Sequence, residues 1–501
     1  MRLFIISCLM AATVFAADRP NVVVFLVDDM GLMDSSVPFL TDKAGKPERH
    51  PLNDFFRTPN MQRLANQGIR FSQFYAMSVC SPTRASIMTG QTSARHYTTQ
   101  FIKPESDNRG AHGPEGWRWE GIRKGDVTLP QRLREAGYRT IHAGKAHFGP
   151  NGSHAENPTS IGFDINIAGC AYGQPGSYYG RENFGHGNKK RAKRAVPGLE
   201  NYHGRDIHLT EATTIEFKAA LGKAVREKTP FFGYLSHYAV HSPFQPDKRF
   251  IANYSDKHGK RGAIFGSMIE GMDKSLGDVL DELEVLGVAE DTLVIFLGDN
   301  GTDAPIGGVH EIACAAPLRA KKGTHYEGGM RVPFIAAWAK HSPDNPHQQR
   351  LRIPHGAIQT QISDVTDLFP TILTLCGTPA PKGHIIDGSD LATRLTGKRD
   401  DSRKDDFLMH FPHQHRSSYY TVYRQGDWKL IYHYQPAANF KKFPRYELFK
   451  LTEDRAESQN LATTHPEKLQ AMLGAMRREL SECKAQYPVD ADGNALMPRL
   501  P

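Results

Sequence analysis

Four apolar runs along the chain each end in a short polar cluster: NVVVFLVDDMG (21–31), GYRTIHAGKAHFG (137–149), PFFGYLSHYAVHSP (230–243) and TLVIFLGDNG (292–301). None alternates polar with apolar residues, so each reads as a strand buried on both faces, the pattern of a parallel sheet. Helical stretches lie between them. TPNMQRLANQG has Pro59 in its first turn and Gly68 as its stop, and TLPQRLREAG repeats the plan with Pro130 and Gly137. SMIEGMDKSLGDVLDELEVLG predicts a longer amphipathic helix ending near Gly287. Strands alternating with helices imply an α/β fold: a large, mixed, mostly parallel sheet flanked by helices. Its site lies outside the carboxyl ends of the strands, where all four polar clusters fall.

The pattern changes after about residue 393. DDFLMHFPHQHRSSYYTVYRQGDWKLIYHY and YELFKL read as antiparallel strands, and HPEKLQAMLGAMRRELSECKAQ as a closing amphipathic helix. Residues 17–392 are therefore expected to form the main α/β domain and 393–501 a smaller α+β domain. From Gly149 to Thr210 the chain is rich in Gly, Asn, His and Tyr without periodicity, long loop material suited to substrate specificity.

Composition adds limits. With 39% hydrophobic and 23% charged residues over 501 positions, the chain is neither disordered nor a membrane bundle. The opening MRLFIISCLMAATVFAADRP has a positive start, an apolar stretch and a small-residue cleavage site, so residues 1–16 are expected to be a signal peptide. The mature protein is then secreted or periplasmic and has no membrane span. Its removal takes one of the six cysteines and lowers the net charge from +8 to +7. That charge suits an anionic substrate and gives no reason to expect nucleic acid. Pairing among Cys170, Cys314, Cys376 and Cys483 stays open. The one dense basic run, KKRAKR (189–194), is either a solvated loop or a guide for a polyanion.

Chemistry concentrates around SVCSPTRASIMTG (78–90). Pro82 suits a first helical turn and Gly90 a stop. Cys80 then stands at a helix N-terminus with Arg84 one turn on, a setting that favours a negative charge at position 80. CSPTRASIMTG also resembles the extended C-x-P-x-R signature of the type I, formylglycine-dependent sulfatases, arylsulfatase-like members of the alkaline phosphatase superfamily. VFLVDDMG, GKAHFG, HYAVHSP, LGDNG, DLFPTILTL, GDWKLI and ELFKLTED resemble further family segments. PLRAKKGTHYEGGMRVP resembles the family's PLRGGKGTLYEGGIRVP. The resemblance runs from about Asn21 to about Ala462 and implies a sulfatase.

Asp28, Asp29, Asp299 and Asn300 offer oxygen alone at two strand ends, which suits Ca²⁺, or Mg²⁺, rather than zinc. The resemblance implies that they hold Ca²⁺ together with residue 80. It further implies that Cys80 becomes Cα-formylglycine through a formylglycine-generating or equivalent maturation enzyme. Arg84 would steady the hydrated aldehyde, Lys145 and Lys322 would bind sulfate, His147 would work beside the formylglycine hydroxyls, and His241 would sit near the ester's bridging oxygen. RAKKG replaces RGGKG here, so Lys321 competes with Lys322, which is preferred because it directly precedes Gly323. His237 is a second candidate in its segment, and HFPHQHR adds His410, His413, His415 and Arg416 as candidate substrate contacts. With Trp117, Trp119, Tyr178 and Tyr179 nearby in sequence to the loops, a sulfated polysaccharide or oligosaccharide is the expected substrate. The alternatives are a phosphodiesterase or phosphonate monoester hydrolase of the same superfamily, or an inactive glycan-binding homologue should Cys80 stay a thiol.

Overall fold

The structure is a computed structural model and describes residues 19–501 except Lys190 and Lys441; the expected signal peptide lies outside the described residues. Fourteen strands are found: β1 (Asn21–Val27), β2 (Ile69–Phe71), β3 (Phe74–Tyr75), β4 (Arg139–Gly144), β5 (Ile165–Ile167), β6 (Phe231–His237), β7 (Thr292–Gly298), β8 (Phe334–Trp338), β9 (Ala357–Gln359), β10 (Ser363–Asp364), β11 (Asp406–Phe411), β12 (Tyr420–Gln425), β13 (Trp428–His433) and β14 (Tyr446–Lys450). Eight of them form one sheet in the order β5-β4-β6-β1-β7-β8-β2-β9. It is parallel except for β8, which runs antiparallel to both of its neighbours. The expected mixed, mostly parallel sheet is thus present, and the four apolar runs supply its adjacent strands β4, β6, β1 and β7.

Both faces of that sheet are covered, which is why its strands lack alternation. In β1, Val23, Phe25 and Val27 enter a core with the helices Pro59–Gln67, Leu209–Arg226 and Gly259–Val285. Val22, Val24 and Leu26 enter a second core with Cys80–Thr89, Leu129–Glu135 and Leu368–Leu375. Each such buried side chain contributes about 1.5–3 kcal/mol on transfer from water, so both faces must be filled before β1 is stable. The long amphipathic helix begins at Gly259, earlier than its hydrophobic pattern shows. One departure is β5: it lies within the stretch expected to be loop and pairs with β4 at the sheet edge. Three residues are too few to carry a periodicity.

The tail folds as an antiparallel sheet, β11-β12-β13-β14, with the helix Pro466–Glu482 across it. Tyr423, Leu430, Tyr432 and Leu448 pack under Leu469, Met472, Leu473 and Met476 of that helix. The opposite face, with Phe407, Met409, Val422, Ile431 and Phe449, joins the second core of the large sheet. Among the described residues the five cysteines are free and buried, so no disulfide is formed. No helix among the described residues is long and apolar enough to cross a membrane.

Candidate active site

The carboxyl ends of the four adjacent strands converge. Asp28 and Asp29 follow β1, Lys145 and His147 follow β4, His241 follows β6, and Asp299 and Asn300 follow β7. Backbone bonds lock these ends together: Asp28 N donates to Ala239 O at 2.9 Å, Val240 N to Asp28 O at 2.7 Å and Asp299 N to Val27 O at 3.1 Å. Gly144, at φ +95°, lets β4 turn toward the site; a Cβ there would stand 2.0 Å from Ser236 O. Asp29 (φ 60°) and His147 (φ 54°) hold left-handed conformations. A non-glycine residue there costs of order 1–3 kcal/mol, and such strain clusters where side-chain direction matters.

The helix Cys80–Thr89 has Cys80 at its first position and ends at Gly90, φ 69°. Cys80 Sγ lies 3.3 Å from His147 Nδ1. His147 Nε2 stands 2.6 Å from Ile102 O and so carries the proton, which leaves Nδ1 as an acceptor facing residue 80. Burial, with Lys145 nearby, holds His147 well below its ordinary pKa and hence neutral.

Beneath this pair lies an array of three buried carboxylates and three buried cations. Lys145 Nζ donates to both oxygens of Asp28 at 2.8 Å. Lys322 Nζ lies 2.5 Å from Asp29 Oδ1. Arg84 grips Asp299 Oδ2 through Nε and Nη2 at 3.0 and 2.8 Å, while its Nη1 donates to Lys145 O and Ser236 Oγ. Burial alone would raise every carboxyl. Lys322, His241 and Lys145 overturn this at Asp29, and Arg84 and Lys145 at Asp299, so both sit below the usual range. At Asp28 burial and the neighbouring acids outweigh Lys145, and its pKa is raised. Asp29 Oδ2 and Asn300 Oδ1 are buried with no hydrogen-bond partner. Asp28, Cys80 and Asp299 offer ligand atoms within 4.8 Å of one another. The oxygen donors of Asp28, Asp29, Asp299 and Asn300, two of them with orphaned lone pairs, fit a hard divalent cation.

Above the array opens a cavity of about 290 Å³, lined by Cys80, His147, His241 and Lys322 at its base. Higher on the walls stand Phe101, Tyr172, Gln174, Arg194, His415 and Arg416. The structure brings some of the expected residues to this cavity and not others. Arg84 and Lys145 are fully buried below the cavity and orient its base. Lys321 turns away, its Nζ donating to Ala304 O at 2.7 Å. His237 is buried behind β1, bonded to Ser275 Oγ at 2.8 Å. His410 has both nitrogens occupied, by Thr421 Oγ1 and Gln486 O, each at 2.7 Å. His413 is buried against Trp117 and bonds Thr99 Oγ1 at 2.8 Å. These three histidines therefore do not reach the cavity, whereas His415 and Arg416 do. Tyr178 is likewise internal, its hydroxyl donating to Tyr238 O and His241 O. Phe101, Tyr172 and Asp303, which pairs with Arg416 (Nη2–Oδ2 3.0 Å), carried no signal in the sequence.

The same segments tie the chain to known proteins. The Sulfatase family model matches residues 20–378, and the N-sulphoglucosamine sulphohydrolase C-terminal model matches residues 321–486. N-acetylgalactosamine-6-sulfatase of Mus musculus is 31% identical over 412 residues, 79% of this chain and 70% of the relative. A sulfatase of Formosa agariphila is 28% identical over 510 residues, 90% of this chain and 86% of that protein. Among solved structures, Ps i-CgsB in complex with k-i-k-neocarrahexaose superposes with a TM-score of 0.70 at 22% identity, covering 92% of this chain and 93% of that one. PsFucS1 sulfatase from Pseudoalteromonas sp. gives 0.67 at 23%, covering 94% and 91%. A family match across most of the chain, on the strand ends that build this array, makes the protein a member of the sulfatase family and a sulfuric ester hydrolase.

Proposed function

We propose that the protein removes sulfate from a sulfated carbohydrate and that Cys80, converted to Cα-formylglycine by a maturation enzyme, is its nucleophile. The observation that carries this reading is the stacking of Cys80 and His147 Nδ1 directly over the balanced carboxylate–cation array. The aldehyde hydrate would supply two hydroxyls on one carbon, one to take the sulfate and one whose deprotonation releases it. His147 Nδ1 would accept that proton. Lys322 reaches the cavity base and would bind a sulfate oxygen, while Lys145 and Arg84 fix Asp28 and Asp299 beneath it. Asp28, Asp29, Asp299 and Asn300 would hold Ca²⁺, or Mg²⁺, which opposes negative charge on the transferred group.

For the substrate, one matched relative is named for N-acetylgalactosamine 6-sulfate, and a structural neighbour (TM-score 0.63, 17% identity) was solved with D-glucosamine-2-N,6-O-disulfate. Together with the aromatic and basic cavity wall, this supports a hexose or hexosamine sulfate at the end of a chain, in a protein exported after loss of residues 1–16. The test is twofold. Mass analysis of the Cys80 peptide should show the aldehyde, and a panel of sulfated sugars should release sulfate only with that form. An unmodified thiol in a fully active enzyme would refute the nucleophile; an aldehyde-bearing enzyme that spares every sugar but cleaves phosphonate or phosphodiesters would refute the substrate class.

A further inference from the structure

A second group of ligand-competent side chains lies outside the cavity, where the segment after Lys322 meets the tail sheet. His325 stands three residues beyond Lys322, His433 ends β13 and Glu447 lies in β14. All three are buried, and their ligand atoms lie within 4.8 Å of one another. His325 is fully buried, a polar ring in an otherwise largely apolar and aromatic setting. Burying a polar group without a partner is costly, and each such group in a native fold calls for an explanation.

The hydrogen bonds leave a specific gap. His325 Nδ1 is held by Ser417 Oγ at 2.7 Å. Its Nε2 has no hydrogen-bond partner, yet it faces Glu447 Oε1 at 3.6 Å, too far for a hydrogen bond. His433 Nε2 meets the same oxygen at 2.8 Å, and His433 Nδ1 is unpartnered. The remaining carboxylate oxygen accepts from Tyr326 OH at 3.0 Å. Two imidazole nitrogens and one carboxylate oxygen thus converge on a point, with Ser417 and Tyr326 orienting them from behind as outer partners orient metal ligands. Burial and the neighbouring His433 hold His325 well below its ordinary pKa, in the neutral form that a metal needs. Phe443 lies flat on His433 with ring centroids 5.0 Å apart and closes one side. His310, half-buried with its ring centroid 6.3 Å from that of His325, donates from Nε2 to Arg416 O at 3.1 Å and has its Nδ1 unpartnered.

We propose that His325, His433 and Glu447 form a binding site for one Zn²⁺ that ties the Lys322 segment to the tail sheet. Two nitrogens and one oxygen suit zinc, with water as fourth ligand; tetrahedral donors at 2.0–2.2 Å from the metal stand roughly 3.3–3.6 Å apart, so His325 Nε2 keeps about its present distance from Glu447 Oε1 while His433 Nε2 moves away from that oxygen by about half an ångström. Three lone pairs form the three bonds, and no electron transfer is involved. The proton that His433 Nε2 shares with Glu447 moves to the vacant His433 Nδ1. This site differs in donor chemistry from the all-oxygen array under Cys80, so the two would not compete for the same ion.

The test uses the full chain, stripped of metal and then kept in excess Ca²⁺ to occupy the oxygen array. Titration with Co²⁺ should give the visible absorption of a tetrahedral nitrogen–oxygen site, saturating at one equivalent and displaced by one equivalent of Zn²⁺. His433→Ala and the volume-matched His325→Leu should each weaken binding more than about 100-fold, beyond the 10–100-fold usual for outer-shell changes. Asp299→Ala should leave the signal intact. Absence of a stoichiometric signal in the unmutated chain would overturn the proposal, as would a signal that survives His325→Leu or vanishes only with Asp299→Ala. The unmutated titration decides the matter should the variants fail to fold.

Discussion

His241 reaches the cavity with its proton on the wrong side for an acid. Nδ1 lies 2.8 Å from Ser242 O and donates to it, so Nε2, 3.6 Å from Asp29 Oδ2, is bare. Burial, only partly opposed by Asp29, pushes its pKa down to about 3. To serve the leaving oxygen of a sugar it must gain a proton as the anionic substrate enters. A sugar alkoxide needs that proton and a nitrophenolate does not. His241→Ala is therefore expected to slow sugar sulfate hydrolysis by about 10²–10⁴-fold and aryl sulfate hydrolysis far less. Equal losses in the two assays would assign His241 to binding instead. The neighbouring lysines separate just as cleanly. Lys322→Met should lower kcat/KM about 10–100-fold, the value of a hydrogen bond to a charged group, whereas Lys321→Met, which loses a contact to Ala304 O away from the cavity, should stay within about threefold. Similar losses in both variants would contradict the distinct positions of the two ammonium groups.

Among the elements, the strands that end in the array were legible because both their faces are buried and their polar tips follow at once; DD, GK-x-H, HSP and DN could all be read in order. What stayed hidden depends on partners far away in sequence. The occupancy of His410 is set by Gln486 and Thr421, that of His413 by Thr99, and Arg416 is aimed by Asp303, 113 positions upstream. Nor does any local pattern bring Phe101 and Tyr172 to one wall. The basic run divides by position. Arg194 closes a short turn, Ala192–Arg194, whose end is tied to Gly176 N and lines the cavity, while Lys189 and Lys193 are exposed. Neutralising Lys189 and Lys193 should lower kcat/KM for polymer at low salt and lose its effect above about 0.1 M, where the screening length falls to about 10 Å. Arg194→Ala should weaken short oligosaccharides as well, at any salt. A salt-independent response to the exposed pair would return them to the role of solvated loop residues.

Across the whole molecule, buried neutral histidines set the acid limit. Burial holds His96, His142, His237 and His413 down at about 3 and His410 at about 4, against about 6.5 in an unfolded chain. Below pH 6.5 the unfolded chain takes up protons that the folded chain refuses, so stability falls as pH drops through the window from about 6.5 to 4. Each histidine costs up to about 1.4 kcal/mol per pH unit there. Urea midpoints should accordingly decline steeply between pH 6.5 and 5, above the carboxylate range; a flat profile there would contradict neutral burial. The tail sheet carries a different consequence. One of its faces completes the second core, and the loop between β11 and β12 brings His415 and Arg416 to the cavity. Selectivity and scaffold are thus inherited in one piece. A chimera that exchanges the tail for a relative's in order to transplant its preference would also replace Phe407, Met409, Val422, Ile431 and Phe449 in the second core, and recombination at this end of the gene can succeed only when the incoming sheet fits a floor it did not evolve upon.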